Sequence, residues 1–257
     1  MIVLGIETST PQSSVCLGSE HGIIAQASAV SPHGAAGGPH ARAHGAFVAP
    51  AIRFCLEQAG LELEAVSGVA VSLGPGLFTG MRVGIATAQT LAHARRLPVV
   101  GLTSLDLLAF PVRHARRLIV AALDARRGEL FWAFYRSAPG GIQRVTDLRV
   151  GSADALAGEV EAQPDDVLCV GDGALASRHV LESVGAEIGP AAMAAPSAYS
   201  VVELALPRFV REETQRPEDL HPVYLRGADA KINWQGRGAL FPRRAAADTV
   251  DDDSAVG

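Results

Sequence analysis

The sequence predicts an α/β protein made of two similar lobes, and three observations point to this architecture. Apolar runs that are typical of buried strands alternate with helical segments, as in residues 66–73, a glycine-rich turn, and residues 81–95. An apolar strand, an acid, a polar turn and a second strand occur around Glu7 and again around Asp124. The chain of 257 residues is long enough for two such lobes. We therefore expect duplicated, mixed β-sheets flanked by helices.

The first lobe is predicted to span residues 1–112. Two long segments have apolar residues at helical spacing, and the first of them ends at Gly60, which suits a helix C-terminus. Pro50 should kink that helix or mark its first turn. The predicted strands are residues 2–6, 14–18, 23–27, 66–73 and 98–102, and the predicted helices are residues 44–60, 81–95 and 104–110.

The second lobe is predicted to span residues 113–235. It begins with strands at residues 118–123 and 129–136, which lie on either side of a turn. Helices are predicted on this lobe at residues 152–163, 174–185 and 199–212. Residues 236–257 contain Asp251-Asp-Asp253 and many small residues, so we expect a disordered tail there.

Charge and composition limit the classes of function. The chain has 22 Lys+Arg against 27 Asp+Glu, a net charge of −5, and only 19% charged residues. This balance does not favour nucleic-acid binding by the chain alone. The small charged fraction leaves apolar surface that a partner would cover. Lys231 is the only lysine and Ile232 follows it, which excludes a Walker A loop.

Cysteine usage and hydropathy predict a soluble, cytoplasmic protein that has no membrane span. Cys16, Cys55 and Cys169 are too few and too far apart for a disulfide framework or a CxxC metal site. The N-terminus lacks the basic region of a signal peptide. No uncharged run reaches the ~20 apolar residues of a transmembrane helix.

The strand-end acids are the first candidates for chemistry. Glu7, followed by Thr8 and Ser9, is placed to hold a magnesium ion near a phosphate, and Asp124 would face it across a cleft. Such a pair resembles the nucleotide site of the actin and hexokinase superfamily, and it would suit a small-molecule kinase or an ATP hydrolase. The simpler interpretation is that each acid caps its own turn.

A glycine-rich loop, Gly74-Pro-Gly-Leu-Phe-Thr-Gly80, leads into the second long helix. Its free amides would suit an anion, or its glycines would allow close backbone packing. Within the helix, Gly84, Ala88 and Ala92 lie four residues apart and form a stripe of small residues. Such a stripe lets another helix approach closely, either in the same chain or in a partner.

His40 and His44 have the spacing of a metal-binding pair on a helix. The glycines and the proline around them argue against a helix at His40, and no nearby acid offers a third ligand. We expect solvated loop histidines, no metal site and no metallopeptidase activity. No Gly-x-Ser-x-Gly elbow and no cysteine in an electropositive setting is present either. The residues therefore predict a cleft without catalytic residues.

Five segments resemble those of the TsaB family, the dimerisation subunits of the bacterial system that makes threonylcarbamoyladenosine in tRNA. They occur in the family's order between Met1 and Arg226. The segments are Gly5-Ile-Glu-Thr-Ser-Thr10, Ser72-Leu-Gly-Pro-Gly-Leu-Phe-Thr-Gly-Met-Arg-Val-Gly84, Gly101-Leu-Thr-Ser-Leu105, Asp124-Ala-Arg-Arg-Gly-Glu-Leu-Phe-Trp-Ala-Phe-Tyr135 and Pro222-Val-Tyr-Leu-Arg226. The resemblance implies the two-lobed, actin-like fold of the ASKHA superfamily.

The resemblance also implies a non-catalytic scaffold that dimerises with TsaD, the catalytic paralogue. TsaD transfers a threonylcarbamoyl group to N6 of adenosine 37 in tRNAs that read ANN codons. The metal-binding His-x-x-x-His of TsaD lies on a helix that corresponds to residues 105–110, where this chain has no histidine. The family pattern thus implies no cofactor in this chain, because ATP and metal belong to the partner subunits. It further implies a TsaE-like ATPase in the complex, contact with tRNA only through the complex, and a homodimer when the chain is alone.

In the family, the subunit contact uses the two long helices of the first lobe, here residues 44–60 and 81–95. We assign the contact to their apolar and small residues: Phe47, Val48, Ala51, Cys55, Met81, Gly84, Ile85, Ala88, Leu91 and Ala92. Glu7, Thr8, Ser9 and Asp124 would then be a vestigial nucleotide or phosphate site. Two features depart from the family pattern. The insertion at residues 31–39 is longer than usual, and Leu77 stands where serine is common.

Overall fold

Two mixed β-sheets form the framework of the computed structural model, which describes residues 1–30 and 40–225. The strands of the first sheet are β1 (Val3–Glu7), β2 (Gln12–Ser19), β3 (Gly22–Val30), β4 (Gly68–Ser72) and β5 (Val99–Leu102). Their order is β3-β2-β1-β4-β5. β2 is antiparallel to β1 and β3, whereas β4 is parallel to β1 and β5 is parallel to β4.

The second sheet repeats this plan. Its strands are β6 (Leu118–Arg126), β7 (Glu129–Ala138), β8 (Gly141–Arg144), β9 (Arg149–Ser152), β10 (Val167–Val170) and β11 (Glu187–Ile188). From one edge, the order is β8-β7-β6-β10-β11, and β9 pairs with β7. The hairpins β6–β7 and β7–β8 are antiparallel, and β10 is parallel to β6 and β11, as in the first sheet. The two matching sheets confirm the predicted architecture of duplicated, mixed β-sheets flanked by helices.

The helices cover the sheets. In the described ranges they are α1 (His40–Ala59), α2 (Phe78–Arg95), α3 (Ser104–Ala109), α4 (Ala153–Glu161), α5 (Asp172–Ala176), α6 (Arg178–Ser183) and α7 (Ala198–Val210). α1 and α2 pack side by side on one face of the first sheet, where Leu4 and Ile6 of β1 point. Val3, which precedes Leu4 in β1, points to the opposite face because side chains alternate in a strand.

α7 lies on that opposite face of the first sheet. Our prediction that residues 199–212 form a helix on the second lobe is therefore wrong in its placement. The contacts explain why the helix packs there. Val202 fills the space above Gly5 and Gly18, and a Cβ added at either glycine would come within 2.8 Å of a Val202 methyl group. The chain therefore returns to the first lobe after the second sheet is complete.

The remaining differences concern the ends of elements and short strands. α1 begins at His40, so Pro50 lies inside the helix and does not mark its first turn. α2 begins at Phe78, earlier than predicted. The predicted helix at residues 174–185 is divided into α5 and α6, which meet at Ser177. The four strands β8 to β11 were not predicted, because they are short and weakly patterned.

Three of the features named in the sequence analysis concern residues that the structure does not describe. The insertion at residues 31–39, Lys231 and the predicted tail at 236–257 lie outside the described residues. Residues Met1–Leu225 form one compact unit. Within the described ranges, no helix has both the length and the hydropathy needed to cross a membrane.

Candidate functional site

The turn after β1 holds the first predicted acid inside the protein. Glu7 is 0% exposed, and its Oε1 accepts hydrogen bonds from the amide and the hydroxyl of Ser9 at 2.5 and 2.6 Å. Burial raises the pKa of Glu7, and hydrogen bonds from the Ser72 and Ser9 side chains oppose that rise. Thr8 and Ser9 are each 1% exposed. The carboxyl group thus caps its own turn and does not face open solvent.

The glycine-rich loop closes over this turn. Leu77 donates its amide to the carbonyl oxygen of Ser9 at 2.6 Å, and the Thr8 hydroxyl donates to the carbonyl oxygen of Gly80 at 2.7 Å. A Cβ at Gly76 would collide with the Ser9 carbonyl oxygen, and one at Gly80 would collide with that of Thr8. Of the two interpretations left open for this loop, close backbone packing is the one that the structure supports.

The second predicted acid lies near the end of β6, at an irregularity in the pairing of β6 with β7 that precedes the turn between them. Asp124 accepts a hydrogen bond from the amide of Arg126 at 2.7 Å, as Glu7 does from the amide two residues beyond it. Asp124 is partly exposed and also pairs with the Arg126 guanidinium at 3.3 Å. In both lobes the strand-end acid therefore accepts a hydrogen bond from the amide two residues beyond it, which is the simpler of the two interpretations given above.

Asp172, at the start of α5, lies beside Asp124 and was not predicted. Its Oδ1 accepts a hydrogen bond from the Asp124 amide at 2.9 Å. Burial, reinforced by the charge of Asp124, raises the pKa of Asp172. The sequence signal that points to it is Gly171-Asp-Gly173 directly after β10, a strand that we did not predict.

The residues of the predicted nucleotide site make these hydrogen bonds within the chain. Glu7, Thr8 and Ser9 are enclosed by the first lobe, and Asp124 binds to groups of the second. His44 is buried on α1, with its Nδ1 2.6 Å from the Ser13 hydroxyl oxygen, so the prediction of a solvated loop histidine is wrong for this residue. No group of three or more His, Cys, Asp or Glu in the described part of the chain is arranged to hold a metal ion.

Most of the predicted interface residues pack inside the chain. Eight of the ten are buried: Val48, Ala51, Cys55, Met81, Gly84, Ile85, Ala88 and Ala92. Phe47 and Leu91 are partly buried. The stripe of small residues faces β1 and β4, where Gly84 lies against the hydroxyl of Thr8 and close to Val71. Within the chain the sheet covers the buried eight, so the exposed residues of the same two helices are better placed to contact a partner.

The outer side of the same two helices is exposed. On α1 the exposed apolar residues include Phe54, which is 48% exposed. The others on that side are Ala46, Ala49 and Pro50. On α2, four of the exposed residues form a row at intervals of four: Phe78, Arg82, Ala86 and Thr90. We call these two sets together the outer α1/α2 face. Sequence periodicity did not identify this face, since the strongest apolar signal belongs to the core side.

Comparison with known proteins gives consistent results. A family model described as "TsaD: tRNA N6-adenosine threonylcarbamoyltransferase" matches residues 23–234. The chain is 30% identical to the tRNA threonylcarbamoyladenosine biosynthesis protein TsaB of Bacillus subtilis (strain 168), over 91% of this chain and 98% of that protein. It is 28% identical to the protein of the same description from Escherichia coli (strain K12), over 91% of this chain and 97% of that protein.

A solved structure, described as YeaZ from Pseudomonas aeruginosa, is similar along nearly its whole length. The TM-score is 0.74 and the sequence identity is 28%. The match covers 87% of this chain and 99% of that one. Sequence and structure comparisons therefore agree on the same group of proteins.

Proposed function

The chain belongs to the TsaD family, and within it to the TsaB proteins of tRNA threonylcarbamoyladenosine biosynthesis, and from this premise we propose that it is a non-catalytic subunit which binds a TsaD-like paralogue. Its role in threonylcarbamoyladenosine biosynthesis follows from the family. What we propose is that this chain is non-catalytic and that catalysis belongs to the paralogue. The observation that carries it is the burial of the Glu7 turn beneath the glycine-rich loop, which closes the predicted strand-end acid and its neighbouring hydroxyl groups to solvent.

The closed turn argues against the alternative of a small-molecule kinase or ATPase. Magnesium and phosphate would have to reach carboxylate and hydroxyl groups that are 0–1% exposed. The hydroxyl of Thr8 and the amide of Leu77 are also occupied by backbone partners. Binding a nucleotide there would break these contacts without replacing the buried packing. ATP and metal therefore belong, in this proposal, to the partner subunits.

The outer α1/α2 face is the surface that the partner would cover. It combines two large apolar residues, Phe54 and Phe78, with small residues such as Ala49 and Ala86, and it lies on two helices that pack against each other. Small exposed residues allow a second pair of helices to approach closely. Apolar surface of this kind is normally covered in the assembled state. The same face would pair two copies of this chain when the paralogue is absent.

Contact with tRNA is assigned to the assembled complex. The net charge of −5 and the frequent pairing of arginine with acids leave no strong basic footprint for phosphates. A TsaE-like ATPase joins the same complex in this proposal. Both statements extend the family pattern to this chain.

A binding experiment tests the face directly. Phe54→Glu should prevent formation of a heterodimer with the TsaD-like paralogue, because it places a charge in an apolar contact that excludes water. The variant should remain folded, since the side chain is half exposed. Ala155→Glu, at an exposed helical position on the second lobe, is the matched control and should bind as the wild type does. An unchanged heterodimer in the Phe54 variant would contradict the assignment of this face.

A further inference from the structure

Three side chains form a fixed cluster at the N-terminal end of α2. The rings of Phe78 and Tyr224 are stacked with centroids 5.6 Å apart and an interplanar angle of 27°. The guanidinium carbon of Arg82 lies 4.0 Å from the centroid of the Phe78 ring. The Nε of Arg82 donates to the Tyr224 hydroxyl at 3.1 Å. Phe78 is 51% and Tyr224 46% exposed, so the cluster stands at the surface.

Tyr224 belongs to a segment that is firmly attached to α2. The side-chain amide of Gln89 donates to the carbonyl oxygens of Pro217 and Leu220 at 2.9 and 3.3 Å. The amide of Val223 donates to the carbonyl oxygen of Leu73 at 2.8 Å. The backbone of the segment that carries Tyr224 is therefore fixed by contacts that do not involve Arg82.

Among the described residues, Arg82 is held by aromatic side chains without a carboxylate, and Arg113, which lies over the Phe110 ring, is a second such case. Elsewhere in the described chain, arginines such as Arg95 and Arg149 pair with glutamates. Arg82 forms no ion pair with any described residue, and its only hydrogen bond there uses Nε. No described residue occupies the two terminal amino groups of the guanidinium, whose orientation is fixed by Phe78 and Tyr224. A fixed guanidinium fork matches the two oxygens of a carboxylate.

The position of Arg82 indicates which molecule supplies that group. Arg82 lies in the exposed row of α2 between Phe78 and Ala86, and so belongs to the outer α1/α2 face. Its neighbours are aromatic and small rather than basic, which is typical of protein contacts and not of a phosphate-binding surface. A partner that covers this face would bury the free guanidinium, and a buried arginine requires an acidic partner.

We propose that Arg82, held by Phe78 and Tyr224, binds a carboxylate of the TsaD-like paralogue and acts as the specificity-determining residue at one end of their interface. This inference rests on the proposed function, and it adds a named polar anchor to an otherwise apolar contact. It also gives the segment ending at Tyr224 a role in the interface, through the orientation of Arg82.

Titration of the full-length chain against the paralogue tests the proposal. Arg82→Ala should raise the dissociation constant about tenfold or more, as expected for a well-packed interface arginine. Arg82→Lys should recover only part of the loss, since lysine keeps the charge but not the fork. Tyr224→Phe, which keeps the ring stacking and removes the hydroxyl, should cost about two- to tenfold. Arg116→Ala, at an exposed arginine outside α1 and α2, is the control and should have no effect.

Salt dependence supplies a second measurement. Wild-type affinity should fall with ionic strength more steeply than that of Arg82→Ala, since the variant has lost one interfacial charge pair. Equal affinity of wild type and Arg82→Ala would overturn the inference and leave the proposed function standing. No binding by the wild type would refute both. Unchanged affinity for the paralogue, combined with weaker tRNA binding by the complex, would assign Arg82 to RNA and overturn the carboxylate proposal.

Discussion

Gly80 lies directly against Thr8, and the Thr8 hydroxyl donates a hydrogen bond to the Gly80 carbonyl oxygen at 2.7 Å. The same close approach leaves no room for a side chain at Gly80. This contact joins the glycine-rich loop to the turn that a nucleotide would otherwise approach. The glycine-rich loop has the composition of an anion-binding loop, but here its glycines allow close packing against the Thr8 turn.

Gly80→Ala should therefore destabilise the protein. The added methyl group would collide with a backbone oxygen, which cannot move as a side chain can, so we expect a loss of about 1–3 kcal/mol in the free energy of unfolding. Gly45→Ala, at an exposed helical glycine with no atom within 4 Å of the added Cβ, should be neutral or slightly stabilising. Denaturant unfolding of both variants measures the difference. Equal stability of the Gly80→Ala and Gly45→Ala variants would contradict the close approach of Gly80 to the Thr8 carbonyl oxygen.

Substitutions at two alanines of α2 should distinguish an effect on folding from an effect on association with the paralogue. Ala88 is 0% exposed, so Ala88→Glu buries a charge in the core and should unfold the chain or lower its stability severely. Ala86 is exposed, so Ala86→Glu should leave thermal unfolding nearly unchanged and prevent heterodimer formation. Circular dichroism and size-exclusion chromatography with the paralogue measure both properties. A folded Ala88 variant would contradict the packing of α2 on the sheet.

The buried Glu7 should give the stability a distinct pH dependence. Its pKa in the folded state is raised above the ordinary value of 4.5, so its contribution to stability is complete below that value and is lost as pH rises through the folded-state pKa. Glu7→Gln removes this loss. The unfolding free energy of Glu7→Gln relative to the wild type should therefore increase from acidic to neutral pH.

Unfolding of both proteins across that pH range is the measurement, with Glu62→Gln at an exposed position as the control. A difference between Glu7→Gln and the wild type that stays constant with pH would show that the Glu7 carboxyl is not perturbed by burial.

Asp124 should contribute to the stability of the fold rather than to catalysis. Asp124→Ala removes the acceptor for the Arg126 amide, and we expect a loss of about 1 kcal/mol in stability, as for a lost cap. Magnesium-dependent ATP hydrolysis should be at background level in both the wild type and the variant. Turnover by the wild type that disappears in Asp124→Ala would instead support an active cleft.

The sequence predicted the two lobes because the strand–acid–turn–strand unit is local and repeated. The same local reading could not place α7, whose apolar stripe of Val201, Val202 and Ala205 would fit either sheet. Only the long-range match to Gly5 and Gly18 decides the question, and such a match is not visible along the chain.

For a related reason, periodicity cannot separate residues that face the sheet from residues that would face a partner. Val48, Ala51 and Cys55 recur at helical spacing because they face the sheet, and an apolar stripe does not reveal whether a sheet or a partner covers it. The exposed apolar residues of α1 and α2 are small, with Phe54 and Phe78 as large exceptions. Tyr224 gave no periodic signal, since it lies in an extended segment whose importance depends on its contact with α2.

The most direct test of the central claim is threonylcarbamoyl transfer to tRNA by the TsaD-like paralogue, measured with this chain present, with this chain absent, and with this chain alone. We expect transfer that requires both chains, with none by this chain alone. Transfer by the paralogue that does not depend on this chain, or transfer by this chain alone, would contradict the account of a non-catalytic partner subunit.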